Sequence, residues 1–328
     1  SEDIQLLGPI PSIYRANAPV KFTANPMGTR VTDFSNEALY ENMDYGDQGY
    51  RLLGLFRLWN AMEYYYPYLD NNWHDLLPEY IARMLEGKNQ ESYELTIASL
   101  SAKLQDAHVA LYNSKYTILE AGIYGVPVKI MQAEGEIVIT EVLEDDCPLR
   151  RGDIIRELDG KNIRDILAER MEYFSVTTEK KFTNQIGHFL LRSNDKTMKL
   201  TILRDGIKQT VSVEGEMAYY SMRETAEQPY QILNGNIGLL NPAALQAGSL
   251  SSLMNKLMST DGLVIDLRQY PSNYVVYDLA EYLVDGVKPF LICTVPTESN
   301  PGAFLKNIKY SGKQENANVE RYEKPVVV

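Results

Sequence analysis

Residues 262–271 read Gly-Leu-Val-Ile-Asp-Leu-Arg-Gln-Tyr-Pro, an apolar run that ends in two charged residues and a proline. Strand-like and helix-like segments alternate around it, in the order 236–240, 245–258, 262–267, 274–284 and 290–295. Such alternation is typical of βαβ units and a mainly parallel sheet. The apolar run 325–328 predicts one more buried strand. We therefore predict a partial α/β domain over residues 216–328, interrupted within its sheet.

Upstream of this domain, over residues 116–215, the apolar side chains recur at every second position, as in half-buried strands. A pair of strands, 198–203 and 209–213, flanks the turn Arg204-Asp205-Gly206. A polar-apolar segment at 163–171 has the pattern of a helix. These patterns predict a compact domain that is mostly β.

Residues 46–115 have apolar side chains at spacings of three and four, which predicts a small bundle of three amphipathic helices. Gly87 is expected to end the second helix, and Ser92 to cap the third. Residues 1–45, rich in Pro, Asn and Gly, are expected to form an extended lead-in with at most a short strand. The predicted fold class is therefore α+β with several domains.

The composition argues against several classes of function. The chain has 328 residues with 32 Lys and Arg against 44 Asp and Glu, which gives a net charge of −12. Because the basic residues form no cluster, nucleic acid is not expected as a partner. No apolar run approaches the roughly 18 residues of a membrane helix. Cys147 and Cys293 are too few for a disulfide framework or a zinc site, so neither a metal nor a cofactor is expected.

Five motifs, in this order, resemble the C-terminal processing (tail-specific) serine peptidases, including their tricorn-core branch. The motifs are Asp-Ala-His-Val at 106–109, Tyr-Gly-Val-Pro at 124–127, Arg-Gly-Asp-Ile-Ile-Arg-Glu-Leu-Asp-Gly at 151–160, the Asp-Leu-Arg segment within 262–272, and Lys-Pro-Val-Val-Val at 324–328. The similarity covers about residues 46–328. The order of the five motifs supports this resemblance more strongly than any single motif does.

This resemblance implies a PDZ-like domain over 116–215 and a partial peptidase core of the ClpP/crotonase-like type over 216–328. It implies a serine-type endopeptidase that binds an extended polypeptide, or its C-terminus, and cleaves peptide bonds through an acyl-enzyme. In the family the nucleophilic serine follows the valine strand, so we expect it downstream of Val328 and expect this chain alone to be inactive. The resemblance also implies a periplasmic or cell-envelope location and allows a homo-oligomer.

His108 is the candidate general base. It follows the third predicted helix and lies two residues after Asp106. An imidazole has an ordinary pKa near 6.5, which suits a base at neutral pH, but the sequence alone favours a structural histidine bonded to a nearby carbonyl. The resemblance to the tricorn-like branch favours the base. Other members of the family use a lysine downstream of the serine, and that alternative stays open.

The end of the 262–267 strand is the second candidate. The resemblance implies that backbone N–H groups after Pro271, those of Ser272 and possibly Asn273, contribute to an oxyanion hole. The family commonly has Gly-Gly at these two positions, so this sequence departs from the pattern. Asp266 and Arg268 would lie near this site, or would simply form an ion pair that stabilises the domain.

Residues Gly125, Val126, Pro127 and Val128 are the candidate peptide-binding loop of the PDZ-like domain. In β-augmentation an extended peptide adds to a sheet edge, while backbone N–H groups capture its terminal carboxylate. An autoinhibitory or purely structural domain is the alternative. For the whole chain, the alternative function is a noncatalytic peptide-binding protein on a degenerate peptidase scaffold. A binder of small apolar ligands ranks last.

Overall fold

The structure is a computed structural model. It describes residues 22–24, 30–32, 38, 40–70, 72–111, 122–217, 228–297, 300–315 and 318–328. Within the expected lead-in, β1 (Phe22–Ala24) pairs antiparallel with β2 (Arg30–Thr32), so a short strand does occur there. Most of the segment predicted as a lead-in lies outside the described residues.

Three helices form the predicted bundle: α1 (Gln48–Tyr65), α2 (Trp73–Glu86) and α3 (Gln90–Ala102). Their shared core includes Leu55, Tyr80 and Leu100, each fully buried. Trp59 of α1 stacks on Trp73 of α2, with ring centroids 4.4 Å apart. The helical spacing of apolar residues thus predicted both the helices and the faces that they bury.

The helix ends follow ordinary capping chemistry, with one correction. Gly87 ends α2 as predicted, and Asp47 caps α1 by accepting hydrogen bonds from two backbone N–H groups. The prediction that Ser92 caps α3 is wrong, because the N-cap is Asn89, whose Oδ1 accepts from the Ser92 N–H at 2.9 Å. Ser92 lies three residues later, and its side-chain Oγ accepts a hydrogen bond from the Asn89 N–H, which completes a capping box.

A β-rich region follows the bundle. Its strands are β3 (Tyr124–Gly125), β4 (Val128–Ala133), β5 (Glu136–Val142), β6 (Ile154–Leu158), β7 (Lys161–Asn162), β8 (Arg192–Ser193), β9 (Thr197–Arg204), β10 (Ile207–Glu214) and β11 (Glu216–Met217). The larger sheet has the order β10-β9-β6-β5-β4, with β7 paired to β6, and a small sheet has the order β11-β3-β8. The predicted hairpin is confirmed as β9 and β10, which turn at Asp205-Gly206.

Two helices pack on this region. The first, α4 (Ile163–Met171), has the bounds that the sequence predicts. The second, α5 (Glu179–Ile186), was not predicted, yet its Phe182 is fully buried in the same core as Ile155 and Leu200. The region therefore has one apolar core, shared by the larger sheet and its helices.

The last region contains a small, partly parallel sheet. Its elements are β12 (Tyr230–Leu233), β13 (Ile237–Leu240), α6 (Leu250–Leu257), β14 (Gly262–Ile265), α7 (Val276–Leu283), β15 (Lys288–Pro296), β16 (Phe304–Ser311) and β17 (Val326–Val327). Strands β13, β14 and β17 run parallel to one another, while β12 pairs antiparallel with β13. The βαβ pattern around 262–271 is thus confirmed in the centre of the sheet.

One expectation for this sheet is wrong. The segment 290–295 was expected to continue the mainly parallel sheet, but it lies in β15, which pairs antiparallel with β16 in a separate two-stranded sheet. Its side chains remain largely exposed, whereas the strands of a parallel sheet are normally buried on both faces. Apolar composition alone did not distinguish the two cases.

Specific hydrogen bonds join the three regions. Asp106, in the loop after α3, donates its N–H to Ser175 Oγ of the β-rich region at 2.8 Å. Arg83 of α2 forms an ion pair with Glu172 at 3.2 Å. Gly302, between β15 and β16, donates its N–H to the Tyr64 carbonyl of α1 at 3.0 Å. The bundle therefore contacts both of the other regions.

Candidate active site

The loop after α3 brings Asp106 and His108 together. Asp106 Oδ1 accepts the backbone N–H of His108 at 2.9 Å and lies 3.0 Å from the Nδ1 of the same imidazole. This is the turn that an aspartate forms with the backbone two residues later. Because the Asp106 N–H is held by Ser175, the pair is fixed to the β-rich region as well as to the bundle.

The surroundings of Asp106 favour its charged form. The backbone N–H of His108 lowers the pKa of the Asp106 carboxyl most, and the imidazole adds to the effect against a smaller penalty from burial. The Tyr66 hydroxyl lies 3.5 Å from Asp106 Oδ2. Desolvation, then the negative charge of Asp106, raises the pKa of Tyr66, so this hydroxyl keeps its proton and can donate.

The imidazole of His108 is open to solvent, with 96% of its side chain exposed. It is not held by a carbonyl, as the structural alternative required, but by the Asp106 carboxylate. An ionised carboxylate beside Nδ1 favours the tautomer that carries its proton on that nitrogen. Nε2 then keeps a lone pair that faces solvent, the state a general base needs.

Asp266 and Arg268 form the ion pair considered from sequence. At the end of β14, Arg268 Nε lies 2.9 Å from Asp266 Oδ1 and Nη2 lies 2.6 Å from Oδ2, a bidentate pair. The Arg268 side chain donates these bonds, and with its backbone N–H it lowers the pKa of Asp266. The arginine is 88% exposed, so the pair fixes a local turn on the surface.

Ser272 and Asn273 hold the loop beyond this turn against the segment after β13. The Ser272 N–H donates to the Pro242 carbonyl at 3.1 Å, and Ser272 Oγ bonds the carbonyls of Pro242 and Leu245. Asn273 Nδ2 donates to the Leu245 carbonyl at 2.5 Å. In this structure the backbone donor of Ser272 is therefore engaged, and an oxyanion would have to replace the Pro242 carbonyl.

The candidate peptide-binding loop lies largely inside the β-rich region. Gly125 belongs to β3, which is the middle strand of its sheet, so it does not form an open edge. Val126, Pro127 and Val128 are buried, and the Val126 N–H donates to the Leu191 carbonyl at 3.0 Å. The edge of the larger sheet is instead β4, which begins at Val128.

Sequence reasoning missed the helix that lines this edge. Asn184 of α5 accepts the backbone N–H of Gln132 in β4 at 2.9 Å, and the Gln132 side-chain amide lies 3.4 Å from Glu179. A peptide that pairs with β4 would compete with Asn184 for the Gln132 N–H. The residue that could have indicated this helix from the sequence is Thr178, whose hydroxyl caps α5 by accepting the Lys181 N–H.

Among the residues that the structure describes, no group of three or more His, Cys, Asp or Glu side chains could hold a metal ion. A cavity of about 710 Å³ is lined by residues that are far from Asp106 and His108 in the sequence, and the charges of its lining balance. The lining residues are Met258, Asp285, Lys313, Glu320, Arg321, Tyr322, Glu323 and Lys324. No helix in the described ranges is long and apolar enough to cross a bilayer.

The chain matches no family model, and no curated protein matches it either. Solved structures do match. CPAF complexed with lactacystin has a TM-score of 0.52 at 14% identity, over 75% of this chain and 61% of that one. A serine-to-alanine mutant of CPAF has a TM-score of 0.54 at 14% identity, over 77% and 62%. The photosystem II D1 C-terminal processing protease has a TM-score of 0.38 at 15% identity, over 85% and 73%.

At this identity the similarity concerns the fold alone. The chain spans about three fifths of the length of the CPAF structures that it matches. Its helices and sheets therefore form an α+β fold that resembles the corresponding part of CPAF.

Proposed function

We propose that this chain is part of a serine-type endopeptidase of the C-terminal processing class. The observation that carries the proposal is the Asp106–His108 pair, in which a carboxylate 3.0 Å from Nδ1 leaves the other imidazole nitrogen open to solvent. The peptidase-like order of motifs and the CPAF-like fold point in the same direction. Polypeptides are the proposed substrates.

In the proposed mechanism, His108 acts as general base. Its Nε2 takes the proton of a serine hydroxyl as that oxygen attacks the scissile carbonyl, and Asp106 stabilises the imidazolium that forms. The imidazolium then gives its proton to the leaving amine, which departs and leaves an acyl-enzyme. Water then gives a proton to the same nitrogen as its oxygen attacks the acyl carbon; the bond to the serine oxygen breaks, the imidazolium returns its proton to that oxygen, and the carboxylic acid product leaves.

The serine is proposed to lie in polypeptide that follows Val328 in a longer protein, so this chain alone is expected not to turn over peptides. The extent of the fold similarity supports this proposal, because the chain covers about three fifths of the matched CPAF structures.

The backbone N–H groups of Ser272 and Asn273 are the proposed oxyanion donors. Because the Pro242 carbonyl now accepts the Ser272 N–H, this role requires the loop to shift when substrate binds. Breaking one such hydrogen bond costs about 0.5 to 1.5 kcal/mol, which substrate binding can supply. Asp266 and Arg268 would position the loop through their ion pair.

The β-rich region is proposed to act as a PDZ-like module that binds an extended polypeptide or its C-terminus. Val128 begins the edge strand β4, and Gly125 to Pro127 lead into it. We also keep the family-based proposals of a periplasmic or cell-envelope location and a possible homo-oligomer. Fractionation of cells that make the protein would test the location.

The function is tested with the full-length protein. It is expected to react with a fluorophosphonate probe and to cleave unfolded polypeptides, and His108→Ala should lower kcat by about 10² to 10⁴. Lys199→Ala, at an exposed position of β9, is a control that should leave turnover unchanged. Full turnover by His108→Ala would move the role of base to a downstream lysine, and absence of probe labelling would refute the serine mechanism.

A second candidate is a noncatalytic peptide-binding protein on the same scaffold. The hydrogen bond from the Ser272 N–H to Pro242 favours it, because that donor is not free to meet an oxyanion. Such a protein would bind unfolded polypeptide without cleaving it. The fluorophosphonate reaction discriminates between the two, since only the enzyme has an activated serine.

A further inference from the structure

The hairpin β15–β16 is a two-stranded sheet with no third strand among the described residues. Each strand therefore presents an outer edge of backbone N–H and C=O groups. Such edges are templates for pairing with another extended chain, and natural proteins usually cover or disguise them. Isolated two-stranded sheets are also marginally stable in water, so an additional partner would stabilise this one.

Both strands expose large apolar side chains. Seven of them are between 44% and 64% exposed: Phe290, Leu291, Ile292, Val295, Leu305, Ile308 and Tyr310. A single exposed apolar residue is unremarkable, but a continuous set on one hairpin marks an interaction site. The hairpin is thus apolar on its surface as well as open at its edges.

The charge of the hairpin is opposite to that of the whole chain. Strands β15 and β16 carry Lys288, Lys306 and Lys309 and contain no acidic residue, in a protein of net charge −12. These three lysines form no ion pair with any carboxylate in the described part of the chain. By contrast, Lys129 and Lys208 of the β-rich region do pair with glutamates.

The hairpin is also held next to the proposed oxyanion loop. Tyr274, one residue after Asn273, packs against Tyr277 of α7 with ring centroids 5.8 Å apart. Tyr277 in turn meets Phe290 of β15 edge-on at 5.7 Å. At its other end, Gly302 donates its N–H to the Tyr64 carbonyl of the bundle. A chain bound along the hairpin would therefore run between α1 and the Ser272 loop.

We propose that the β15–β16 hairpin is a docking surface for an extended polypeptide segment that carries both apolar and acidic side chains on each of its two faces, because Lys306 and Lys309 lie on opposite faces of the hairpin, each among apolar residues. The segment adds as a further strand at the hairpin edge, its apolar side chains cover those of the hairpin, and its carboxylates meet the lysines. This rests on the proposed function and specifies its substrate class. The hairpin is a recognition surface and has no part in the chemical steps.

The test measures fluorescence polarisation with the full-length protein, treated with the fluorophosphonate to prevent cleavage, and two labelled peptides. The Glu peptide repeats Leu-Val-Glu-Glu, which puts apolar and acidic side chains on both faces of a strand, and the Lys peptide repeats Leu-Val-Lys-Lys. The Glu peptide is expected to bind, and Lys306→Glu/Lys309→Glu should weaken it by about tenfold or more while strengthening the Lys peptide. Lys199→Glu, which reverses one exposed charge outside the hairpin, is the control and should change neither affinity. Circular dichroism checks that each variant is folded.

A second measurement leaves the protein unchanged. N-methylation of every second residue of the Glu peptide removes the backbone N–H donors that face the hairpin and should abolish binding. N-methylation of the remaining residues removes only N–H groups that face away from the hairpin and should not abolish binding. Equal affinity for both peptides, an equal loss in Lys199→Glu, or insensitivity to both methylation patterns would overturn the proposal. Binding to anionic phosphatidylserine vesicles in place of peptide, or hairpin-dependent dimerisation, would also overturn it.

These outcomes are separable from the function itself. If the full-length protein reacts with the fluorophosphonate but the peptides do not bind, the docking surface fails and the peptidase stands. If the peptides bind as expected and no serine reacts, the surface stands in a noncatalytic protein.

Discussion

Asp106 and His108 lie two residues apart, and this spacing lets one carboxylate accept both the backbone N–H and the imidazole of the later residue. The proximity was therefore predictable from sequence. The engagement of Ser272 was not, because its partner carbonyl at Pro242 lies 30 residues earlier in the chain. Local spacing specifies local hydrogen bonds, whereas bonds between distant loops depend on how the sheet places them.

The first prediction concerns the pKa of Asp106. The backbone N–H of residue 108 is the largest cause of the lowered pKa of Asp106, and alanine at that position keeps it. His108→Ala should therefore raise the pKa of Asp106 only part of the way toward its usual value. The carboxyl resonance, followed by NMR during an acid titration, checks this. Because the folded pKa lies below the unfolded one, the stability that this group contributes is present above about pH 4 and is lost at lower pH. Complete recovery of the usual pKa would contradict the assignment.

The second prediction concerns Arg204, at the end of β9. It forms a bidentate pair with Asp153, the aspartate of the Arg-Gly-Asp motif at 151–153, at 2.8 and 2.6 Å, and the carboxylate is only 2% exposed. Arg204→Ala should cost about 3 to 5 kcal/mol of unfolding free energy, because it leaves a buried charge without its main partner.

Lys208→Ala is the matched control for Arg204→Ala. Lys208 lies on the neighbouring strand and pairs with Glu157 at 3.1 Å, but it is 65% exposed. Its loss should cost much less unfolding free energy than the loss of Arg204, because solvent screens this exposed pair. Urea unfolding of both variants measures the difference, and equal costs would mean that burial does not distinguish the two pairs.

At the scale of elements, helices with several apolar positions on one face were predictable, whereas a helix with few apolar residues and the partner of an exposed strand were not. The 18 residues of α1 and the nine of α4 carry enough apolar positions to define a helical face. The eight residues of α5 do not, and only the fold shows that Phe182 is buried. Strand β15 was recognised as a strand but given the wrong partner, since an apolar run does not distinguish a buried parallel strand from an exposed hairpin.

The third prediction concerns the start of α3. Asn89→Ala removes the side-chain oxygen that accepts the Ser92 N–H, so it should cost about 1 kcal/mol of unfolding free energy. Ser249→Ala is the control, because Ser249 occupies the N-cap of α6 without a capping hydrogen bond from its side chain. The control should lie within about 0.5 kcal/mol of the wild type. Similar losses in both variants would argue against the capping box.

At the scale of the whole molecule, the bundle touches both other regions near the residues proposed to act. Ser175 holds the Asp106 loop, and Tyr64 holds the tip of the β15–β16 hairpin. Changes in hydrophobic periodicity predicted the bundle, the β-rich region and the α/β region, but these contacts join residues far apart in the sequence and could not be anticipated. They join the loop of the proposed general base to the β-rich region and the tip of the hairpin to the bundle.

The central claim is that His108 is the base for a serine supplied by further polypeptide. A crystal structure of the full-length protein, with and without a fluorophosphonate on its serine, tests it most directly. We predict that in the unmodified protein His108 Nε2 lies about 2.6 to 3.2 Å from the reactive serine oxygen, with Asp106 still at Nδ1. A lysine ammonium at that oxygen, with His108 still facing solvent, would contradict the account.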